Sequence, residues 1–382
     1  MASRRLTHWV LWAALAIHIP IALVAFARSG EPAYDFDRYY EIGNSRGRPY
    51  RDFPVEQPPA TVLMFRMLAA VSGGRPAFGL HVVLVNVIAD ATIVAALAWG
   101  WGFAAAACFA VVVLPILDLF YNRPDLWSTA AATLAVAAWQ RQRRIFAGVA
   151  LAAGTAFKLW PLPFAMLLLL PAPVAKARGH ESEPIVTGVP LAPIVVFAGA
   201  AAALALVWIG LAGWTGVLQV LTFRGASGWE IESTVGSVLM AAGVKSMRVE
   251  SGAWRIGTTS GRTAILLFLV AAPGCAWSIW RGGRTGRVGA GWAGGISALL
   301  AMSALLSPQF VAWLAPGCAV AWVQGNRRVA ALTALAILLT NLVWKSFNPL
   351  VHGATSPLVM LVARNALLFV VALDAARVLR RP

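Results

Sequence analysis

The sequence predicts an all-α fold, a polytopic bundle of about 11 to 12 membrane-crossing helices. Three observations carry this. Of 382 residues, 59% are hydrophobic and only 12% charged. The apolar residues come in long continuous runs, without the two-residue alternation of a barrel strand. Short basic segments separate those runs, as in the connections of a membrane bundle. Runs of that kind leave helices as the structure that satisfies its own backbone in lipid. The net charge of +16 is not a nucleic-acid footprint, because the arginines are scattered between apolar spans. The chain 1–382 is therefore read as one integral membrane domain with the bilayer as its first partner and no nucleic acid.

The first apolar run, 6–27, follows Arg4 and Arg5 and ends in Ala25-Phe26-Ala27, which imitates a peptidase site. Its length of about 20 residues is that of a full crossing, so an uncleaved anchor is expected. Further candidate spans are 77–99, 102–121, 124–140, 145–157, 160–171, 190–212, 262–280, 288–306, 309–324, 328–346 and 356–376. The connections RQRR (141–144), VAKARG (174–179), RGGRTGR (281–287) and GNRR (325–328), with the tail RVLRR (377–381), are short and basic and are expected to face the cytoplasm. Parity then excludes 59–70 as a crossing. That segment opens on proline and is interrupted by Arg66, so it is predicted as an amphipathic helix in the outer interface. Two large polar segments, 28–76 and 213–261, become outer loops on the same side. Runs 145–157 and 160–171 are short for two crossings and are expected as a broken or tilted hairpin hinged at Lys158-Leu159-Trp160-Pro161. Cys108, Cys275 and Cys318 lie in apolar runs without metal-ligand spacing and are read as core fillers. Arg outnumbers Lys, and Ala and Gly are abundant, which points to a high-GC bacterial host and says nothing about activity. A multi-pass place in the cytoplasmic membrane with the site on the outer face is expected from the two large polar segments lying opposite the basic connections.

The densest acidic stretch follows the first span. Asp35, Asp37, Glu41, Asp52 and Glu56 make up a third of the 15 acidic residues in the chain. Carboxylates so placed beside a first span, among Tyr and Arg, suggest chemistry on a polar group at headgroup level.

These residues resemble a family. Asp35-Phe36-x-x-Tyr39, Gly47-x-Pro49-Tyr50-Arg51-Asp52-Phe53 and Glu56-x-Pro58-Pro59 are similar to the first outer loop of GT-C superfamily glycosyltransferases that use polyprenyl-phosphate sugars, especially glycosyltransferase family 87. Arg123-Pro124-Asp125, Ala147-Gly148 with Lys158-x-x-Pro161, Glu230-Ile231-Glu232-Ser233, and Ser307-Pro308-Gln309-Phe310 with Trp313 follow in the family's order, over about residues 30 to 315. The chain departs from it at Gln57, where tyrosine is common, and at Gln309, where the related mannosyltransferases carry a His-bearing motif. The resemblance implies a first outer loop with interfacial helices and a catalytic Asp near the end of the first span. It also implies a polyprenyl-phosphate donor, mannose first, entering from the membrane, with a lipid or glycan of the cell envelope as acceptor.

Such a transfer needs a base for the acceptor hydroxyl and cations for the departing phosphate. Asp35 occupies the family's Asp position and is the first candidate base, with Asp37 second. The alternative for Asp35 is a helix cap or an ion pair with Arg38. Lys158, Arg255, Arg224 and Arg364 are the phosphate candidates. Lys158 has snorkelling at a proline kink as its alternative, and Arg364, inside the last span, has an interhelical ion pair. Glu56, Trp229, Glu230, Glu232, Gln309 and His352 are sugar or acceptor candidates. For Glu56 and Asp52 the alternative is structural pairing with Arg46, Arg48 or Arg51; for Gln309 it is satisfying a freed helix carbonyl, and for His352 plain surface exposure. No metal site is assigned, although Asp35 and Asp37 could hold a divalent ion with phosphate. A transporter or flippase and a noncatalytic glycan-binding subunit are the competing readings. The transporter predicts internal repeats, and the sequence shows none that is convincing.

Overall fold

Apolar runs that cross a bilayer have to close their own backbone hydrogen bonds, and this chain does so as helices. The computed structural model describes residues 2–30, 34–171, 191–224, 226–259 and 261–381. Helix α1 (Ala2–Arg28) leads to two shorter helices, α2 (Tyr34–Asn44) and α3 (Pro59–Ala70), and then to α4 (Arg75–Trp101). The run α5 (Phe103–Val112) and α6 (Leu117–Tyr121) bends by 42°, at Pro115, which has no N–H for the helical ladder. Helices α7 (Asp125–Gln140) and α8 (Arg144–Phe157) form a hairpin across the RQRR turn, followed by the one-turn α9 (Ala165–Leu168). Beyond it come α10 (Leu191–Leu221), α11 (Thr234–Ala241), α12 (Gly261–Arg284), α13 (Val288–Ala301), α14 (Ala315–Val323), α15 (Arg327–Lys345), α16 (Phe347–Val351) and α17 (Thr355–Arg380).

Among the described residues six helices are long and apolar enough to cross a membrane, seven with the bent pair counted as one span. This is a multi-pass helical membrane protein. A helical element stands at every candidate span, but six or seven of them, not 11 to 12, are long and apolar enough to cross, since the helices over 145–157, 288–306 and 309–324 are shorter. Three further expectations change. The stretch 160–171 holds only a 3-10 turn, Leu162–Phe164, and α9, too short to cross. Helix α10 continues past residue 212 to Leu221 through a kink at Gly213 (φ 66°), so the second polar segment begins nine residues later than expected. The fold is also not wholly helical. Strands β1 (Trp229–Glu230), β2 (Met247–Glu250) and β3 (Ala253–Ile256) form an antiparallel sheet in the order β1-β3-β2. Ser251 and Gly252, both at positive φ (53° and 77°), make the two-residue turn that matches the twist of a hairpin. The basic segment 174–179 lies outside the described residues.

α3 starts on proline as expected and buries Thr61, Val62 and Phe65 while leaving Leu63 and Met67 exposed. At the centre of the bundle α13 is buried almost throughout. Its small residues permit close approach: a Cβ on Gly289 would run into the α14 backbone at Val320 and Ala321, and one on Gly291 into Ser278 of α12. Without a hydrophobic force between helices in lipid, such close packing holds spans together. A buried polar knot adds to it. His18 of α1 joins Asp90 of α4 through Nδ1 (2.8 Å) and donates from Nε2 to the Ala110 carbonyl of α5 (2.9 Å), while Tyr121 donates to the same carboxylate (3.0 Å). Cys275 and Cys318 are buried and Cys108 half-buried, all three free thiols, as core fillers would be.

Candidate functional site

Three stretches far apart in sequence meet at one end of the bundle, away from the basic turns. Asp125 opens α7 behind Pro124 and is buried. Its Oδ1 accepts from Lys158 Nζ (2.8 Å) and from Trp313 Nε1 (3.1 Å). Lys158 stands where α8 ends in extended backbone, and its ammonium lies 4.9 Å from the Phe310 ring centroid and 5.6 Å from that of Trp313. Trp313 stacks on Phe310 at 4.5 Å and on Trp160 at 5.2 Å. The buried carboxylate and the aromatic rings take the place of part of the water that an ammonium otherwise holds.

Around this knot lies a polar chamber of about 350 Å3. Its acids are Asp35, Glu56, Glu230 and Glu232; its cations are Arg38, Arg123, Lys158 and Arg224. Asp35, in the first turn of α2, forms its ion pair with Arg123 and not with Arg38, and at 38% side-chain exposure it is the most open of the four acids. Burial pulls the Arg123 guanidinium down to about 10, against the opposing pull of Asp125 and Glu232, so it remains a cation at neutral pH. Glu56 is also paired differently from expectation: its partners are Arg38 (3.1 Å) and Arg224 (3.3 Å). Asp52 instead accepts from the backbone N–H of Arg48.

Glu230 and Glu232 flank Ile231 and end up in different circumstances. Glu230 receives the Leu306 N–H (2.5 Å) and the Ser307 hydroxyl (2.8 Å), which ties the sheet to the break before the 3-10 turn Pro308–Trp313. Glu232 is buried, and its Oε1 has no hydrogen-bond partner among the described residues. Burial, then the neighbouring Glu230, push its carboxyl up to about 8, with Arg364 and Arg123 opposing. The chamber therefore contains one acid held ready to donate beside another, Asp35, held by a cation.

Gln309 lines the chamber as well. Arg364 is fully buried in α17 and does not line it; it donates to the Glu232 carbonyl (2.9 Å), and Asn365 grips the same segment through the Glu232 and Ser233 carbonyls (both 3.2 Å). Arg255 donates to the Gly228 carbonyl (2.9 Å) and faces the apolar side of the site; burial lowers its pKa, with Glu230 opposing. Three further candidates fall outside the chamber. Asp37 turns to Arg75 (2.6 Å), Trp229 packs in the hydrophobic cluster under the sheet, and His352 is exposed and bonded to the Asn348 carbonyl. Asp35 and Asp37 thus end on separate arginines, and among the described residues no group of three potential metal ligands forms. Sequence reasoning missed Arg38 and Arg123 as chamber cations and Trp344 and Phe347 as its aromatic wall. The signal was present for Arg123, which lies within the quoted Arg-Pro-Asp stretch; for Trp344 there was none beyond its place at a span's end.

An apolar groove, also about 350 Å3, adjoins the chamber and shares Glu56, Gln57, Lys158, Phe223, Leu305 and Phe310 with it as a common wall. Ile265, Phe268 and Leu269 of α12 form its far side, and Leu269 is 57% exposed, so the groove opens along the apolar flank of the bundle. The fold and site thus define a multi-pass membrane protein whose polar chamber opens sideways into a greasy slot. No protein-family model, curated protein or solved structure matches the chain. The functional reading therefore rests on the geometry of the site.

Proposed function

We propose that this protein is a membrane glycosyltransferase of GT-C type, transferring a sugar, mannose first, from a polyprenyl-phosphate donor to a lipid or glycan acceptor on the outer face of the bacterial cytoplasmic membrane. The observation that carries the reading is the chamber and groove sharing one wall. A ligand matching both has a charged, hydroxyl-rich head and a long apolar tail, and Lys158 and Arg224 stand near the junction where a phosphate joins the two.

In the proposed reaction Asp35 takes the proton of the acceptor hydroxyl, whose oxygen bonds to the anomeric carbon. The bond from that carbon to the phosphate oxygen breaks, and the polyprenyl phosphate leaves with the electron pair. Lys158 and Arg224 offset the charge that gathers on it. Arg123, ion-paired with Asp35, holds that carboxylate in place, and Glu56 and Gln309 are placed to orient hydroxyls.

The test is transfer of radiolabelled mannose from synthetic polyprenyl-phosphate mannose in membranes carrying wild type or Asp35→Asn at matched expression. Loss of transfer in the variant with donor binding retained supports the reading. Survival of transfer removes Asp35 from the role of base, and Asp37, which faces Arg75, does not replace it. Donor binding by wild type without turnover favours a noncatalytic lipid-glycan-binding protein.

A further inference from the structure

At the opposite end of the bundle a second cavity, about 430 Å3, lies between the turn joining α14 to α15, the start of α13 and the last turns of α17. At 1.5 Å per residue, Arg377 on its wall is roughly 20 Å along α17 from Arg364, so the cavity is separate from the chamber. Its wall carries Arg287, Arg327, Arg328, Arg377 and Arg381 against one carboxylate, Asp374. A bias toward basic residues at one membrane face accounts for arginines at these helix ends. It does not account for their gathering round a hollow with a buried acid in its floor.

The side chains divide into those already committed and those that are not. Arg287 is structural: its Nη1 donates to the Val378 (2.6 Å) and Arg381 (2.9 Å) carbonyls at the end of α17. Arg328 touches Asp374 Oδ1 only at 3.4 Å, with its side chain 73% exposed. Arg327, whose guanidinium lies 5.6 Å from the Trp322 ring centroid and keeps its N–H groups unspent on any carboxylate among the described residues, and Arg377 are exposed at the rim. Helix α15 begins here without a side-chain cap, so its positive end faces the hollow. Two buried atoms on the wall have no hydrogen-bond partner among the described residues: Asn326 Nδ2, a donor, and Asp374 Oδ2, an acceptor on a residue only 7% exposed. Buried polar atoms of that kind are nearly always satisfied in a working protein.

We infer that this cavity binds a phosphate ester that carries a hydroxyl or ammonium group next to its phosphate. The phosphate oxygens sit on Arg327, Arg377, the Asn326 amide and the start of α15; the neighbouring donor satisfies Asp374 Oδ2. Two sources offer this chemistry, a phospholipid headgroup of the adjacent leaflet and a soluble phosphate ester. The inference is independent of the glycosyl-transfer reading, since it concerns other residues at the other end of the molecule.

Native mass spectrometry of the full-length protein, titrated separately with phosphatidylglycerol, phosphatidylcholine and sn-glycerol 3-phosphate, tests it. Wild type is expected to retain one phosphatidylglycerol in preference to phosphatidylcholine. Arg327→Ala/Arg377→Ala should bind it about 30-fold more weakly, at roughly a kilocalorie for each arginine. Arg143→Ala/Arg144→Ala, which removes the same charge at the same end but outside the cavity, should bind as wild type does. Binding of glycerol 3-phosphate with that arginine dependence, and no such dependence for phosphatidylglycerol, assigns the site to a soluble ester. Equal weakening in both double variants, or no retention of either phosphate ester by wild type, overturns the inference. Asp374→Ala probes the second contact in the same titration with phosphatidic acid added. Wild type should prefer phosphatidylglycerol, whose glycerol hydroxyls reach Oδ2, and the variant should lose that preference, whereas an unchanged preference, or none in wild type, would refute the role given to Oδ2.

Discussion

Replacing Asp125 by Asn tests whether the Asp125–Lys158–Trp313 knot organises the site. The substitution keeps shape and one acceptor oxygen for Trp313 Nε1 but removes the one carboxylate among the described residues within bonding distance of Lys158, which stands 2.8 Å away. Removing one partner of a buried ion pair costs about 3–5 kcal/mol because the other charge is stranded. Lys158 keeps 20% of its side chain exposed and faces two aromatic rings, so partial hydration and cation–π attraction reduce the cost to about 2–3 kcal/mol. Lys158→Met in the Asp125→Asn background removes the stranded charge at similar volume and should recover about half of that loss, giving a coupling of about 1–3 kcal/mol in a double-mutant cycle. Unfolding of the four proteins in one detergent, followed by tryptophan fluorescence, measures it. Additivity within about 0.5 kcal/mol would show that the two side chains do not act as a pair.

Further outcomes follow from other parts of the structure. Glu232 holds a proton in the folded protein from its ordinary value of 4.5 up to about 8, where the unfolded chain has lost it. Stability should therefore fall as pH rises through that window, by at most about 1.4 kcal/mol per pH unit for one proton, and Glu232→Gln should flatten the slope; an equal slope in both proteins contradicts the assignment. Ile265→Trp or Leu269→Trp should fill the groove and raise KM for a long-chain polyprenyl donor at least several-fold while sparing a short-chain one, whereas equal effects on both would place the tail elsewhere. Gly289→Leu should force α13 from α14 and lower stability by about 1–3 kcal/mol or more, and wild-type thermal unfolding would refute the close contact. A cysteine placed in 40–50 should react with impermeant reagent in intact cells; labelling from the cytoplasm alone would invert the proposed orientation.

Much of the helical architecture was legible because it depends on local composition. A run of apolar residues in lipid has one way to satisfy its backbone, so Thr7–Arg28 or Arg75–Trp101 can be placed from sequence alone. Elements whose form depends on neighbours were less legible. The 160–171 stretch is as apolar as a span, yet Pro161 and Pro163 and its packing against α12 leave it as a turn and a single helical turn. The small sheet rests on strands of two to four residues held by loop contacts, too short for alternation to stand out.

For the site, sequence placed Asp35, Glu56, Lys158, Glu230, Glu232 and Gln309 in segments that do converge on the chamber. It could not say which acid meets which cation. Asp35 and Asp37 are two residues apart on one helix, so they point in different directions, and only the surrounding helices decide that one meets Arg123 and the other Arg75. The His18–Asp90–Tyr121 knot left no trace in the pattern for the same reason: its members are 31 to 92 residues from their partners. Sequence by itself determined that the chain crosses a membrane as helices and roughly where, since hydropathy is a property of the segment. Tertiary structure alone decided which charges are neutralised, which carboxyl keeps a proton and where an apolar groove meets a polar chamber. Those follow from distance and burial, which long-range packing sets.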